Sequence, residues 1–98
     1  MYKLEFDPRA KKEFDRLSTP VKRQLQKKLA QRLIEPRVQA DRLSSIADCY
    51  KIKLRSAGYR LIYRVEDQLI VVFVIAISAR DSGKRDVYDL AAHRAKNL

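Results

Sequence analysis

The sequence predicts a small α+β domain in which a four-stranded, mainly antiparallel sheet packs on an N-terminal helical hairpin, followed by a short C-terminal helix. Three observations predict it. First, a segment in which apolar and charged residues alternate is followed by two segments with helical spacing. Second, three strand-like segments come in succession. Third, a last segment with helical spacing lies near the end of the sequence. Because the chain has 98 residues, of which 46% are hydrophobic, we expect one domain over residues 1–98.

The first segment is predicted to be a half-buried strand that leads directly into a helix. Apolar and charged residues alternate through YKLEFD at residues 2–7, which is the period of a strand with one buried face. Asp7 followed by Pro8 is a typical helix start, because aspartate caps the first turn and proline suits the first helical position. The apolar residues of this first helix recur at helical spacing: Ala10, Phe14 and Leu17.

A second, longer helix is predicted after Thr19-Pro20, which repeats the same start signal. Its apolar stripe has a spacing of four: Val21, Leu25, Leu29 and Leu33. Basic residues lie elsewhere on the helix and give the helical hairpin a basic outer side: Lys22, Arg23, Lys27, Lys28 and Arg32. The dipeptide Glu35-Pro36 is expected to end the helix.

Three strands and a final helix are predicted in the second half of the chain. The strands are expected at residues 49–55, 59–65 and 69–78. The last of them is apolar at both parities, so it is predicted to be central in the sheet and covered on both faces. Residues 84–96 have the spacing of a helix, but the apolar stripe of this helix is thin, which predicts weak docking.

The charge of the chain is strongly positive and is concentrated in one stretch. The chain carries 22 basic and 12 acidic residues, a net charge of +10, and such an excess on a small domain favours a polyanionic partner such as nucleic acid. Residues 49–64 contain five basic residues and no acidic residue. This imbalance is local, and it predicts a surface that binds an anion.

Strand alternation places all five positive charges of that stretch on one face of a β-hairpin: Lys51, Lys53, Arg55, Arg60 and Arg64. A two-residue turn at Ala57-Gly58 would pair residue 55 with 60, 53 with 62 and 51 with 64. Like charges directly opposite each other destabilise a sheet by about 0.2–1 kcal/mol per pair. Two interpretations remain: a solvated strand face, or a phosphate-binding surface on which a polyanion relieves the repulsion.

Arg80 is a candidate for the same face. If Glu66-Asp67-Gln68 forms a three-residue turn that pairs Val65 with Leu69, residue 80 has the same parity as residues 60, 62 and 64. Its side chain would then project from the end of the central strand, at the rim of the basic face. A two-residue turn would reverse that parity.

The segments around this hairpin resemble a known family. The stretches DCYKIKLRSAGYRLIYRV at 48–65 and VVFVIAISAR at 71–80, with the later DVY, closely resemble the RelE family of the RelE/ParE superfamily. The likeness extends over nearly the whole chain and includes EPRVQADRL at 35–43. It implies a RelE-like fold and a ribosome-dependent messenger-RNA endonuclease from a bacterial toxin–antitoxin pair. The superfold alone is less informative, because ParE members inhibit gyrase on the same scaffold.

By position, the resemblance places the family's two catalytic lysines, phosphate-binding arginine, second active-site arginine and base-stacking tyrosine on five residues of this chain: Lys51, Lys53, Arg60, Arg80 and Tyr88. The segment DSGKRDV between Arg80 and Tyr88 is longer than the family pattern. The alternative for Tyr88 is therefore a packing residue of the last helix. Arg55 and Arg64 are predicted to bind RNA beside the catalytic group.

The resemblance implies that RNA is cleaved by attack of a 2′-oxygen on the adjacent phosphate, which leaves a 2′,3′-cyclic phosphate and a free 5′-hydroxyl. This reaction needs a base for the 2′ proton, charge stabilisation at phosphorus and a proton for the leaving oxygen. Neighbouring positive charges make a lysine a better base, and the family implies Lys51 in that role, with Lys53 and Arg60 holding the phosphate. Arg80 is the candidate acid or charge stabiliser, since arginine rarely releases a proton. Tyr88 would stack on a base.

The resemblance also implies macromolecular partners. These are the ribosome, with its 16S ribosomal RNA and A-site messenger RNA, and a RelB-type antitoxin. Operator DNA is expected to be contacted only through the antitoxin complex. The basic outer side of the helical hairpin is predicted to bind ribosomal RNA, with a solvated helix face as the alternative: Lys22, Arg23, Lys27, Lys28 and Arg32.

Neither a metal nor another cofactor is expected, and no membrane partner. The single cysteine, Cys49, excludes an internal disulfide and indicates a reducing compartment. The only histidine, His93, is expected to be an exposed residue of the last helix. The longest apolar run, at 69–77, is too short to span a bilayer, and no signal peptide is visible. A cytoplasmic location is therefore predicted.

Two rival functions are open at this point. A ParE-like toxin would bind gyrase without nuclease chemistry, and the combination of the five active-site residue types argues against it. A passive nucleic-acid-binding domain is the second rival, but aromatic residues do not alternate with the cations on the basic face, as base stacking would require.

Overall fold

The computed structural model describes residues 1–79 and 86–96, which form an α+β domain with the predicted order of elements. Its sheet consists of the strands β1 Lys3–Phe6, β2 Cys49–Leu54, β3 Tyr59–Glu66 and β4 Val71–Ala79. Its α-helices are α1 Pro8–Asp15, α2 Thr19–Ile34 and α3 Val87–Ala95. The strand order is β1-β4-β3-β2, with β1 parallel to β4 and the other pairs antiparallel, which confirms a mainly antiparallel sheet.

Helix α1 begins at its predicted signal, whereas α2 begins one residue earlier than predicted. The Asp7 carboxylate accepts a hydrogen bond from the Arg9 backbone N–H at 2.8 Å, and Pro8 is the first residue of α1. In α2 the cap residue is Ser18, so Pro20 is the second helical residue.

No helix within residues 1–79 and 86–96 has the length and apolar character needed to cross a membrane.

The two faces of the sheet are covered by different elements. Helices α1 and α2 cover the first face, where their buried side chains pack on alternate residues of β2, β3 and β4: Phe14, Leu25, Leu29, Ile52, Leu61 and Tyr63. Helix α3 and the segment that precedes β2 cover part of the second face: Leu43, Ile46, Ile62, Ala76, Val87 and Ala91. Strand β4 is paired on both sides and buried on both faces, as its apolar run predicts.

A β-bulge in β4 changes which side chains face α3. Ile62 pairs with Ala76 but the next residue, Tyr63, pairs with Val74, so Ile75 is an extra residue in β4. Ile75 and Ala76 consequently both pack in the cluster beneath α3. Beyond the bulge Ser78 lies opposite Arg60, on the second face.

Both hairpin connections are longer than the sequence predicted. The β2–β3 loop comprises residues 55–58 and ends at Gly58, whose φ of 70° suits glycine. It pairs Lys53 with Arg60, so the predicted pairing of 55 with 60 is wrong by two residues. Because that shift is even, each side chain stays on its predicted face. The β3–β4 connection comprises residues 67–70, and the predicted three-residue turn is wrong.

Candidate active site

The β2–β3 hairpin carries a group of four cations, which we call the basic patch: Lys51, Lys53, Arg55 and Arg60. Lys53 lies directly opposite Arg60, and Lys51 lies opposite the buried Ile62. Arg55 is exposed and the other three are half-buried. In the part of the chain that the structure describes, no carboxylate oxygen lies within 4.0 Å of their charged nitrogens. The patch is therefore open to an external anion.

The basic patch changes the acidity of one of its own lysines. The pKa of Lys53 is lowered from its ordinary value of 10.5. The largest cause is the positive charge of Lys51, followed by loss of hydration and by the charges of Arg60 and Arg55. At a given pH, a larger fraction of Lys53 than of an isolated lysine is consequently in the neutral amine form. A neutral amine can accept a proton from a hydroxyl group.

A cleft of about 270 Å³ opens at the tip of the hairpin. Three residues of the basic patch line it together with apolar and backbone atoms: Lys53, Arg55, Arg60, Leu54, Gly58 and Tyr59. Apart from Gly58 itself and its two chain neighbours, no atom of the described residues lies within 4 Å of the position that a Cβ of Gly58 would occupy. Among these residues, the backbone there is open to an approaching ligand. The cleft offers enough space for a phosphate group between several positive charges.

Helix α3 brings Tyr88 to the basic patch. Tyr88 is half-buried and packs against the cluster beneath α3. The Arg60 guanidinium lies over its ring, with Cζ 5.7 Å from the ring centroid, within the range of a cation–π interaction. Asp86 caps the helix by accepting a hydrogen bond from the Asp89 N–H at 2.9 Å. Tyr88 is thus a packing residue that also lies at the edge of the basic patch, and its role in stacking on a base stays a prediction.

Arg64 lies on the predicted face but apart from the basic patch. It is opposite Cys49, so the predicted pairing of 51 with 64 is wrong. Its Nε lies 2.8 Å from Glu66 Oε1 in an ion pair. Ile62 separates it from Arg60 along β3, and the side chain of Ile62 is completely buried beneath α3. The five predicted cations are therefore a patch of four and a separate, ion-paired arginine.

Arg32 is a structural residue of the core and does not belong to the basic outer side of α2, where the sequence placed it. Its side chain is 15% exposed and donates from Nη2 to Asp41 Oδ2 at 2.6 Å. Nη1 donates to the Tyr63 hydroxyl at 2.9 Å and to the Lys51 carbonyl at 3.2 Å. Because Arg32 follows Leu29 by three residues, it lies beside the buried stripe and can reach β2. It supports the strand that carries Lys51.

The other predicted cations of α2 lie toward solvent. Arg23, Lys27 and Lys28 are exposed and Lys22 is half-buried. Among the residues that the structure describes, no carboxylate oxygen lies within 4.0 Å of their charged nitrogens. This surface is separate from the basic patch, because α2 covers the first face of the sheet.

Arg80 lies outside the described residues, so its predicted position and role stay predictions. Strand β4 ends at Ala79, which pairs with Tyr59.

Cys49 is fully buried, and burial raises the pKa of its thiol to about 11. His93 is exposed on α3, as predicted. Within residues 1–79 and 86–96, no three or more His, Cys, Asp or Glu side chains group together as metal ligands.

Two arginines support the sheet from largely buried positions, a role that the sequence analysis gave to neither of them. Arg32 and Arg94 are both largely buried and both bond to backbone carbonyl groups of the sheet. In the sequence each follows a buried apolar helical residue by three positions, Leu29 and Ala91 respectively. That spacing is the one signal that marks them, and solvent-exposed cations often share it.

Comparison with known proteins identifies the family to which this fold and its basic patch belong. The family described as "ParE toxin of type II toxin-antitoxin system, parDE" matches residues 4–82. The chain is 50% identical over 93 residues to the mRNA interferase toxin RelE of Escherichia coli, covering 95% of this chain and 96% of that protein. The chain therefore belongs to the RelE/ParE family of toxins, which confirms the resemblance.

Further relatives show the same similarity. A putative RelE-like toxin protein of Escherichia coli is 38% identical over 95 residues, covering 97% of this chain and 98% of the relative. The crystal structure of the isolated Escherichia coli RelE toxin matches with a TM-score of 0.81 at 48% identity, covering 96% and 98% of the two chains. The intact RelBE toxin–antitoxin complex of the same organism contains a chain that matches with a TM-score of 0.79 at 52% identity, covering 81% and 96%.

Proposed function

We propose that this protein is the toxin of a type II toxin–antitoxin system and acts as a ribosome-dependent endoribonuclease that cleaves messenger RNA in the ribosomal A site. The observation that carries the proposal is the basic patch, where Lys53 and Arg60 lie opposite each other beside the ring of Tyr88. A relative that is 50% identical over nearly the whole chain bears the name mRNA interferase, which supports the same activity.

The lysine pair of the basic patch supplies the base in this proposal. The resemblance assigns the role to Lys51, and the lowered pKa of Lys53 makes a neutral amine available in the same group. One neutral amine takes the proton of the 2′-hydroxyl while the 2′-oxygen forms a bond to phosphorus. The bond from phosphorus to the 5′-oxygen breaks, and that oxygen takes up a proton.

The other residues of the site stabilise the reacting phosphate and orient the RNA. Arg60 is placed opposite Lys53 and can hold a phosphate oxygen with two parallel N–H groups. Arg80 is proposed to stabilise or protonate the leaving oxygen, as the resemblance implies. Tyr88 offers the ring on which a base stacks, and Arg55 extends the cationic surface along the RNA backbone.

The proposed dependence on the ribosome is supported by the absence of a histidine suited to proton transfer. The chain contains a single histidine, and His93 lies exposed on α3, so proton transfer falls to strongly basic side chains. Such a site gains most from a substrate that is already bent into in-line geometry. The ribosome supplies that geometry in our proposal, and the solvent-facing cations of α2 bind phosphates of 16S ribosomal RNA: Lys22, Arg23, Lys27 and Lys28.

The partner that inhibits the toxin is proposed to be a RelB-type antitoxin. The related Escherichia coli toxin is found in a complex named RelBE. An acidic or amphipathic segment of the antitoxin would cover the basic patch and neutralise it. Contacts with operator DNA would come mainly from the antitoxin, and the complex would repress its own operon.

A ParE-like gyrase inhibitor is the second candidate, since the matching family is described as a ParE toxin. One set of experiments separates the two. The purified protein is added to ribosomes programmed with messenger RNA, to the same RNA without ribosomes, and to a gyrase supercoiling reaction. Primer extension maps the cuts in the RNA. Cuts that lie in A-site codons and appear only when ribosomes are present would support our proposal.

Two variants make the experiment specific. Lys51→Ala with Lys53→Ala removes the proposed base, and Lys27→Gln with Lys28→Gln removes two charges from a surface that performs no chemistry. The first pair of changes should abolish cleavage on ribosomes. The second should weaken ribosome binding and lower the dependence of binding on salt by about two units of slope. Loss of supercoiling without cleavage by the wild-type protein would favour the gyrase inhibitor.

A further inference from the structure

Arg94 is a buried charged residue of α3 that the proposed chemistry does not use. It is 7% exposed, and its guanidinium faces the carboxylate of Glu13 in α1. The two bonds are parallel, with Nη1 2.9 Å from Oε1 and Nη2 2.8 Å from Oε2. Such a pair fixes both the distance and the orientation of its side chains. Helix α3 otherwise docks through apolar and aromatic side chains, of which only Val87 and Ala91 are fully buried. Among the contacts described, this pair is the one ion pair that anchors the helix.

The same pair satisfies backbone groups of β4 beyond the end of β1. Strand β1 pairs with β4 only as far as Val74. Past that point the Ile75 carbonyl accepts a hydrogen bond from Arg94 Nη1 at 2.9 Å, and the Ile77 N–H donates to Glu13 Oε1 at 3.0 Å. Buried backbone groups need such partners. The pair therefore joins α1 on the first face, α3 on the second face and the bulged strand between them.

Helix α3 also carries Tyr88, six residues before Arg94. At 1.5 Å per residue the two are about 9 Å apart along the helix axis. The helix has 9 residues, and a helix of that length has little stability of its own. The position of the Tyr88 ring beside Arg60 therefore depends on how the other end of α3 is held.

We propose that Arg94 and Glu13 are positioning residues for Tyr88. Their ion pair holds α3 on the second face of the sheet, so that the ring lies beside Arg60 and is ready to receive an RNA base. The role of the ring in RNA binding rests on the proposed function. Its placement is a property of the free protein and is tested separately.

The first experiment measures the placement of the ring in the free protein. The NMR shift of the Arg60 Nε–H proton reports the ring of Tyr88, and the Tyr88→Leu variant gives the value without that ring. Arg94→Lys and Glu13→Gln are expected to move the shift most of the way to that value. Each variant is measured at a temperature at which thermal unfolding shows that it is folded.

A matched control comes from the opposite end of the sheet. There Arg37 bridges Asp48 and Asp67, with Nη2 3.1 Å and 2.7 Å from their carboxylate oxygens. Arg37→Lys weakens another, more exposed arginine–carboxylate ion pair without touching α3, and it should leave the Arg60 signal unchanged. A wild-type Arg60 signal in both Arg94→Lys and Glu13→Gln would overturn the proposal.

The second experiment is a double-mutant cycle on cleavage by programmed ribosomes under single-turnover conditions. Arg94→Lys is expected to lower the rate about tenfold when Tyr88 is present and less than about twofold in the Tyr88→Ala background. A residue with a merely structural role would lower both rates by the same factor, and that result would refute the positioning role. Absence of any wild-type cleavage would refute the proposed function instead, while the NMR measurement would still decide where the ring lies.

Discussion

Lys53 and Arg60 lie directly opposite each other on β2 and β3, as two like charges in a position where a sheet ordinarily has complementary ones. Lys51 adds a third positive charge close enough to be the largest cause of the lowered pKa of Lys53. In the free protein this arrangement is electrostatically unfavourable. Its persistence is explained by the proposed substrate, because an RNA phosphate would remove the repulsion.

The first prediction concerns the stability of the free protein. Lys53→Gln is expected to raise the midpoint of thermal unfolding at low salt, because it removes one charge from the basic patch. The gain should shrink as salt screens the remaining charges. Lys27→Gln on α2 is the control, and it should have little effect. An equal gain from both variants would show that the repulsion comes from net charge and does not come from the basic patch.

The pH dependence of that gain has a defined sign. The pKa of Lys53 in the folded protein is below 10.5, so at intermediate pH the unfolded chain binds more protons than the folded one. The wild-type protein therefore gains stability relative to Lys53→Gln as the pH rises through the folded pKa. Chemical denaturation of both proteins over a series of pH values measures the free energy of unfolding of each. An advantage of Lys53→Gln over the wild type that grows with pH would contradict the assignment.

The second prediction concerns the separation of Arg60 from Arg64. Arg60→Ala should lower ribosome-dependent cleavage about 10²–10³-fold, since it removes a charged donor at the reacting phosphate. Arg64→Ala should lower it less than about threefold, because Arg64 is paired with Glu66 and lies beyond the buried Ile62. Single-turnover rates at saturating ribosome concentration provide the measurement. Comparable losses from the two variants would mean that RNA binds along the whole of β3.

Alternation in the sequence was sufficient to assign the faces of the hairpin but not the pairing of its strands. The side chains of Lys51, Lys53 and Arg60 are on the predicted face, because the period of a strand is two and the real register differs by an even number of residues. The four-residue loop that shifts the register depends on the backbone at Gly58, and the pattern of apolar residues does not record loop length. The same limit explains the wrong β3–β4 turn.

Two further features could not be read from the pattern because they depend on tertiary contacts. The bulge at Ile75 lies in a strand whose residues are apolar on both faces. An extra apolar residue there does not change the sequence pattern, so the pattern does not reveal the bulge. Arg32 and Arg94 have the same side chain as the exposed Arg23, and only the acidic partners Asp41 and Glu13 distinguish them. Those partners lie far away in sequence or on another element, and a single sequence does not reveal such pairs.

The third prediction concerns the ring of Tyr88. Tyr88→Ala should lower cleavage on ribosomes about 5–150-fold, which corresponds to the loss of about 1–3 kcal/mol of base stacking. Tyr88→Phe keeps the ring and should remain within about threefold of the wild-type rate. Tyr2→Leu, at the opposite end of the sheet where Tyr2 bonds to Asp67, is the control. If Tyr88→Phe were as slow as Tyr88→Ala, the hydroxyl group and not the ring face would be responsible.

The fourth prediction concerns the contrast between two cations of α2. Arg32→Ala should lower the free energy of unfolding by about 2–3 kcal/mol, because it removes charged hydrogen bonds to Tyr63, to Asp41 and to the Lys51 carbonyl. Lys28→Ala, on the exposed side of the same helix, should change it by less than about 0.5 kcal/mol.

Urea denaturation measures both changes in the free energy of unfolding. Ribosome binding is expected to rank the two residues in the opposite order. Lys28→Ala should weaken binding to ribosomes at moderate salt, since an exposed cation is free to contact phosphate. Arg32→Lys retains the charge but cannot make the same set of bonds, so it should remain clearly less stable than the wild type. Equal stability of Arg32→Ala and Lys28→Ala would mean that Arg32 is a surface cation, as its place in the sequence suggested, and that β2 is held without it.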